Sequence, residues 1–145
     1  MKSSAIVLAA FAVTLVSGMA LARDTHLKFP IKDAMENAAA REKLGTDVKF
    51  GFGGQAVPAG EKNLGTFTSN KKTNFANKSD KEGCEWAFLS AMISLKERAI
   101  AEGGNAVINI QSYYKKNEFT SATEYECGAG AIMGGVTLRG TVVRQ

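Results

Sequence analysis

The chain has 145 residues, with 18 Lys and Arg against 14 Asp and Glu, a formal net charge of +4 and two cysteines. That length suits one ordinary domain and leaves no room for a second. So mild a positive surplus argues against the dense basic face of a dedicated nucleic-acid-binding protein.

The first 22 residues have the pattern of a cleavable secretory signal peptide. A cation at Lys2 precedes an apolar run over residues 3–22, which closes on A-L-A just before Arg23. Signal peptidase recognises such a sequence. The alternative is an uncleaved membrane anchor, because the run is close to the ~20 residues that span a bilayer. No cysteine follows the motif, so no lipid anchor is expected. We predict a soluble periplasmic domain over residues 23–145, with no transmembrane anchor after cleavage.

The first half of this domain alternates short predicted elements with turns. Alternating apolar residues predict strands, and an Ala-rich charged run that ends at a glycine predicts a helix. A polar run without apolar periodicity predicts a loop. In chain order these are a strand over 25–31, a helix over 34–44, a strand over 47–52, a turn region over 53–60, a strand over 64–69 and a loop over 70–81.

A long amphipathic helix over residues 79–102 is the best-specified element. Ser79 and Glu82 form a capping box, apolar residues then recur at spacings of three and four, and two glycines follow. A helix packed across a mainly antiparallel sheet is the natural two-layer solution, so we predict an α+β fold. The remaining predicted elements are a strand over 105–114, a turn over 115–122 and one kinked strand or two shorter ones over 123–144.

Cys84 and Cys127 are the two cysteines of the chain, and both lie in the predicted mature domain. An even pair in an oxidising compartment is most simply a structural disulfide. The alternatives are a redox-active thiol and half of a metal site. Redox pairs favour C-x-x-C spacing, and metal sites need further soft ligands. We therefore predict a structural bridge.

The sequence offers no motif for a cofactor, a metal or a nucleotide. The glycines at 128–135 carry Met133 where a dinucleotide loop needs its third glycine, and no P-loop is present. We expect them instead to let a strand bend or the long helix approach closely. The lone His26 lies near the predicted new terminus, where chains fray, so we expect no catalytic role for it. Glu124 and Glu126 share a predicted strand face, but nothing places them at a pocket.

Lysines and aromatic residues are concentrated in the predicted loops. Converging loops would form a basic surface with aromatic edges, suited to an anionic glycan, a lipid headgroup or a nucleic acid. The alternative is a solvated surface whose lysines keep the loops soluble. The candidate residues are Lys71, Lys72, Lys78, Lys115, Lys116, Tyr113 and Tyr114.

The second half of the chain resembles the globular domain of the Rcs envelope-stress lipoprotein sensor. The resemblance covers about residues 80–145 and is carried by Cys84 at the helix start, G-N-A-V at 104–107 and Cys127 ahead of two glycines. It implies a disulfide that ties the helix start to the last strands, here Cys84 to Cys127. The sensor's second disulfide and its lipid anchor do not carry over, because this chain lacks the cysteines for both.

The whole chain also resembles a group of small exported proteobacterial proteins. They share the stretches K-T-N, C-x-W-A, N-A-V and S-Y-Y-K-K, which stand here at 72–74, 84–87, 105–107 and 112–116. Proteins of this group often carry the label of an excinuclease ATPase subunit. A short exported chain without a P-loop gives that label no physical support.

These observations together predict a non-catalytic periplasmic binding protein or envelope-stress accessory protein. The partner we expect is an envelope protein, an anionic glycan or a lipid headgroup. One alternative is a cell-wall glycan hydrolase, which needs a pocket where two carboxylates converge. Another is a basic module that binds an anionic polymer, either glycan, lipopolysaccharide or nucleic acid.

Overall fold

The computed structural model describes residues 23–54, 56–59 and 61–145. The predicted signal peptide over residues 1–22 lies outside them, so cleavage before Arg23 stays a prediction. Within the described ranges, no helix is long and apolar enough to cross a membrane. The described elements are β1 (Thr25–Pro30), α1 (Ile31–Glu36), α2 (Ala38–Leu44), β2 (Lys49–Phe52), β3 (Lys62–Asn74), α3 (Asp80–Ala101), β4 (Ala106–Ser112), a 3-10 turn (Tyr114–Lys116), β5 (Glu124–Ala129) and β6 (Met133–Arg144).

The strands form one sheet that forks at β6. Along one side, β6 pairs with nearly the whole of β3. Along its other side, β6 pairs first with β5 and then with β4. β1 extends the branch that begins with β5, and β2 extends the branch that begins with β4. The two branches therefore separate next to the middle of β6.

The prediction of a mainly antiparallel sheet was wrong, because the sheet is mixed. β2 runs parallel to β4, with Lys49 opposite Ala106 and Phe52 opposite Ile110. Parallel neighbours need a long crossover connection. Here β3 and α3 together form that connection. Strand-like stretches are visible in the sequence, but their neighbours across such a connection are not.

β3 is longer than predicted and takes in part of the predicted loop over 70–81. It continues to Asn74 because residues 66–74 pair one by one with β6. That ladder consists of main-chain N–H and C=O groups, so it needs no apolar side chain. β3 is also an edge strand, and exposed polar and Lys side chains are typical of edges. The strand therefore lacks the apolar alternation that would have revealed it.

The predicted helix over 34–44 is two short helices. α1 begins at Ile31, which takes the end of the predicted first strand into a helix. The chain then breaks at Asn37, whose backbone is extended. The side-chain oxygen of Asn37 accepts the N–H of Ala40 at 2.8 Å. Asn37 therefore acts as the N-cap of α2, a position that asparagine prefers to a helix interior.

The predicted long helix is confirmed as α3, within one residue at each end. Its N-cap is Ser79, whose Oγ accepts the N–H of Glu82 at 3.1 Å. α3 packs on one face of the sheet, so the α+β class is also confirmed. The buried residues of the helix include the predicted apolar stripe of Cys84, Ala87, Phe88, Ala91, Leu95 and Ala99.

The predicted disulfide is confirmed. The sulfur atoms of Cys84 and Cys127 are bonded, and both residues are fully buried. Because Cys84 lies in the second turn of α3 and Cys127 in β5, the bridge fastens the start of the helix to one branch of the forked sheet.

The last segment forms two strands, and its glycines make room for aromatic rings. Phe75 is 4% exposed and lies between Gly83 of α3 and Gly134 of β6. A Cβ atom at Gly134 would lie 2.2 Å from the ring, and one at Gly83 would lie 2.5 Å from it. We expected the glycines to let the helix approach a strand closely. Instead, α3 and β6 each approach the Phe75 ring, which lies between them.

Candidate functional site

The sheet face opposite α3 is polar along β3 and β6. Phe67 of β3 stacks against Arg98 of α3, 4.0 Å from ring centroid to guanidinium carbon. Because strand residues alternate between faces, the even-numbered residues from 66 to 72 point away from the helix. Opposite them on β6 stand Thr141, Arg139, Thr137 and Gly135.

A pocket of about 380 Å³ lies on this face, where β6 leaves β4 and pairs with β5. We name it the fork pocket. Glycines of β5, of β6 and of the turn between them form its floor, together with Asn70 and Met133. Its charged and hydroxyl lining residues are Arg23, Asp24, Lys72, Tyr114, Lys115 and Thr137.

The glycine floor lets side chains lie directly on the sheet. A Cβ atom at Gly128 would lie 2.1 Å from the hydroxyl oxygen of Tyr114. Tyr114 can therefore lie across β5 only because position 128 has no side chain. At Gly135, a Cβ atom would lie 3.3 Å from Cγ of Lys72 on the neighbouring strand. The glycines thus bring an aromatic ring and a lysine stem to one concave surface.

Asp24 is the one carboxylate among the described residues that line the fork pocket, and it is already engaged. Lys115 donates a hydrogen bond from Nζ to its Oδ2 at 2.5 Å, and the Tyr114 hydroxyl lies 3.5 Å from Oδ1. The hydrogen bond from Lys115 lowers the pKa of Asp24, and the same bond raises the pKa of Lys115. Both groups therefore keep their charges at neutral pH.

The other two cations of the pocket differ in their partners. Arg23 forms an ion pair with Asp80, at the N-terminal turn of α3. The Lys72 side chain lies exposed at the pocket, and within the described ranges it has neither an ion-pair partner nor a hydrogen-bond partner. Lys72 is thus the positive charge of the pocket that no carboxylate of the described chain offsets.

Two consecutive lysines beside the pocket have strained backbones. The φ angles of Lys115 and Lys116 are 51° and 63°, in the left-handed region that costs non-glycine residues roughly 1 kcal/mol. This conformation turns the chain after β4 so that Tyr114 and Lys115 reach the fork pocket. Strained non-glycine residues are concentrated at functional sites.

Replacing Lys116 by Gly is expected to raise the free energy of unfolding by about 1 kcal/mol relative to Lys116→Ala. Both variants remove the same exposed side chain, which has no partner in the described part of the chain. Glycine alone adopts a positive φ without a steric penalty. Urea denaturation followed by circular dichroism measures the difference, and equal midpoints would show that this backbone stores no strain.

His26 is held in β1, opposite Gly128, and not in a frayed terminus as expected from its place in the chain. Its ring meets Tyr114 edge to face at 4.9 Å between centroids. Its Nδ1 lies 3.6 Å from Glu126 and its Nε2 lies 3.9 Å from Asp24. Among the described residues, no group of three His, Cys, Asp or Glu side chains could hold a metal ion. The His26 ring therefore packs against Tyr114, which lines the fork pocket.

The predicted basic surface is only partly assembled. Lys72, Tyr114 and Lys115 line the fork pocket together. Tyr113 lies near them and stacks with Arg139, whose guanidinium carbon is 5.0 Å from the ring centroid.

The other three candidate lysines lie outside the pocket. Lys71 lines a groove beside α3 with Ser90 and Glu97, and Lys72 lies at the edge of both this groove and the fork pocket. Lys78 donates to the carbonyl oxygen of Asn74 at 3.1 Å. Lys116 is exposed at the end of the 3-10 turn and does not line the pocket.

Sequence reasoning missed Arg23, Asp24 and the glycine floor. In the sequence, Arg23 is only the residue that follows a predicted cleavage motif, and the glycines are expected to let a strand bend or the long helix approach closely. The register of β3 against β6 places Lys72 opposite Gly135, but the sequence of β3 carries no apolar alternation from which that register could be predicted. Neither a protein-family model, nor a curated protein, nor a solved structure matches the chain.

Proposed function

We propose that this protein is a non-catalytic binding protein whose fork pocket holds an anionic group. The observation that carries the proposal is the exposed Lys72 amine, which has no partner among the described residues and stands over a floor of glycines. A lysine ammonium with free donors recognises phosphate or carboxylate through charge-assisted hydrogen bonds. Arg23, Lys115 and the Tyr114 hydroxyl complete a set of donors around it.

The make-up of the pocket favours binding over glycan hydrolysis. Glycosidases use two carboxyl groups, one as acid and one as base or nucleophile. Asp24 has no second carboxylate beside it in the described lining, and it is neutralised by Lys115. A carboxylate that is held ionised by a lysine is a poor proton donor at neutral pH.

The charges around the pocket favour a compact anion over a long polymer. Arg139 is paired with Glu118 at 3.5 Å, and Glu126 lies beside His26 on the same face. Grooves that bind nucleic acids carry a continuous track of unpaired cations. Here the unpaired charge is concentrated at Lys72, which suits one phosphate or one acidic sugar.

A periplasmic location and a role in envelope stress are part of the proposal. They rest on the predicted signal peptide and on the resemblance to the globular domain of the Rcs sensor. The Cys84–Cys127 bridge between helix start and β5 supports the exported location, because disulfides persist in oxidising compartments. A deletion strain should then be more sensitive than its parent to envelope-damaging agents. Unchanged growth under such stress would remove this part of the proposal and leave the anion site standing.

Replacing Lys72 by Ala is expected to weaken binding of sn-glycerol 3-phosphate by about 10-fold or more, since a charge-assisted hydrogen bond contributes roughly 1.5–3 kcal/mol. Lys71→Ala is the matched control, because it removes the same charge from the adjacent residue of β3, outside the fork pocket. Its effect should stay below about 2-fold, as for a screened surface charge. NMR titration measures both. Equal losses would indicate diffuse attraction without a site.

A further inference from the structure

The turn between β5 and β6 exposes three consecutive apolar residues beside the fork pocket. Ala131, Ile132 and Met133 are all exposed, with Ile132 at 67% and Met133 at 49%. A run of three exposed apolar side chains is unfavourable in water, and such patches usually mark an interaction site. We name these three residues the apolar tip.

The apolar tip is fixed to the sheet by two main-chain hydrogen bonds. The Gly130 N–H donates to the carbonyl of Met133 at 2.9 Å and closes a tight turn. The Phe75 N–H donates to the carbonyl of Ile132 at 2.6 Å, while its ring is clamped between glycines in the core. The tip is thus held by main-chain bonds, and its side chains stay outside the fold.

Two lysines and an ion-paired arginine lie near the apolar tip. Met133 itself lines the fork pocket with Lys72 and Arg23. The Lys78 amine is bound to the carbonyl of Asn74, which stands opposite Met133 in the β3–β6 ladder. Two lysines, an arginine that is paired with Asp80 and an apolar projection therefore occupy the same end of the domain.

We infer that this end of the protein docks on an anionic phospholipid surface, with a lipid phosphate in the fork pocket and the apolar tip inserted at the headgroup boundary. The inference rests on the proposed function and names its ligand class. Surface binding of this kind combines buried apolar area with basic residues, each worth about 1 kcal/mol near an anionic leaflet. Charge complementarity selects the lipid surface over an apolar protein partner.

The test is co-sedimentation of the exported protein, as the cell releases it, with phosphatidylglycerol vesicles and with phosphatidylcholine vesicles. The double variant Ala131→Ser/Ile132→Ser, which leaves the pocket-lining Met133 in place, should bind phosphatidylglycerol vesicles at least about 10-fold more weakly than the parent. Ile100→Ser is the matched control. Ile100 is 53% exposed, but it lies 20 residues after Asp80 along α3, roughly 30 Å of helix away from the end where Asp80 pairs with Arg23. Its partition should change less than 2-fold.

Soluble sn-glycerol 3-phosphate separates this inference from the proposed function. If the double variant loses vesicles but still binds the soluble phosphate, the inference is supported. Unchanged vesicle binding by the double variant, or equal parent binding to both lipids, overturns it. The inference is also overturned if the parent protein does not bind vesicles but forms dimers through the apolar tip. In each of these cases the proposed function is tested separately: it stands if the parent binds soluble sn-glycerol 3-phosphate and fails if the parent does not.

Discussion

The double replacement Cys84→Ala/Cys127→Ala is expected to lower the free energy of unfolding by about 2–5 kcal/mol, as for native bridges of small secreted domains. The two cysteines are 43 residues apart, and closing a loop of that length corresponds to roughly 4 kcal/mol of unfolded-chain entropy. Both side chains are fully buried, so their truncation also leaves small cavities beside α3. The total free energy of unfolding of a domain is only about 5–15 kcal/mol, so this loss would be a large share of it.

Guanidinium denaturation under non-reducing conditions measures this loss, with parent protein in dithiothreitol as a second reference. The bridge lies in the core and does not line the fork pocket. Below the melting temperature of the variant, the folded variant should therefore bind sn-glycerol 3-phosphate as tightly as the parent does. If the variant melted like the parent but lost binding or a redox activity, the structural role of the bridge would be refuted in favour of thiol chemistry.

The sequence predicted best the parts of the fold that are set by local interactions. The cap of α3 depends on Ser79 and on the N–H of Glu82, three residues away, and the apolar stripe depends on helical spacing alone. The disulfide was predicted from the expected oxidising compartment and from the count of cysteines. Each of these signals is complete within one element or within the composition.

The parts that failed depend on contacts between distant segments. The parallel pairing of β2 with β4 and the extension of β3 to Asn74 are decided by strand order and by main-chain ladders. Alternating apolar residues reveal a strand because one of its faces is buried. The end of β3 is an edge strand of Lys and Asn with few buried side chains, so it shows no such alternation. The break at Asn37 was readable in principle, because asparagine is a strong N-cap.

For the candidate site, the sequence predicted the types of residue but not which of them lie together. Charge and aromatic content in 70–81 and 112–116 pointed to an anionic ligand, and three of those side chains, Lys72, Tyr114 and Lys115, do line one pocket. Which lysine stays unpaired depends on Asp24 reaching Lys115 across 91 residues of sequence. Nothing local in the sequence carries that information.

Replacing Gly134 by Ala is expected to destabilise the protein by about 1–3 kcal/mol, the usual cost of overpacking a core. The new Cβ would lie 2.2 Å from the Phe75 ring, which is buried and clamped from the other side by Gly83. The φ of Gly134 is not in the left-handed region, so alanine brings no backbone strain. Without the ring, the same change in a strand would stabilise by about 0.4–1 kcal/mol.

A double-mutant cycle with Phe75→Leu isolates the contact. In the Phe75→Leu background the added methyl group meets a smaller side chain, so Gly134→Ala should cost less than half as much as in the parent. Gly54→Ala is the matched control, since its Cβ would meet Thr120 at an ordinary 3.5 Å, and it should stay within about 0.5 kcal/mol of the parent. Thermal and urea unfolding measure all five proteins, which are the parent, the three variants of the cycle and the control. A Gly134→Ala variant as stable as the parent, or a cost that Phe75→Leu does not relieve, would mean that the ring does not need the glycine.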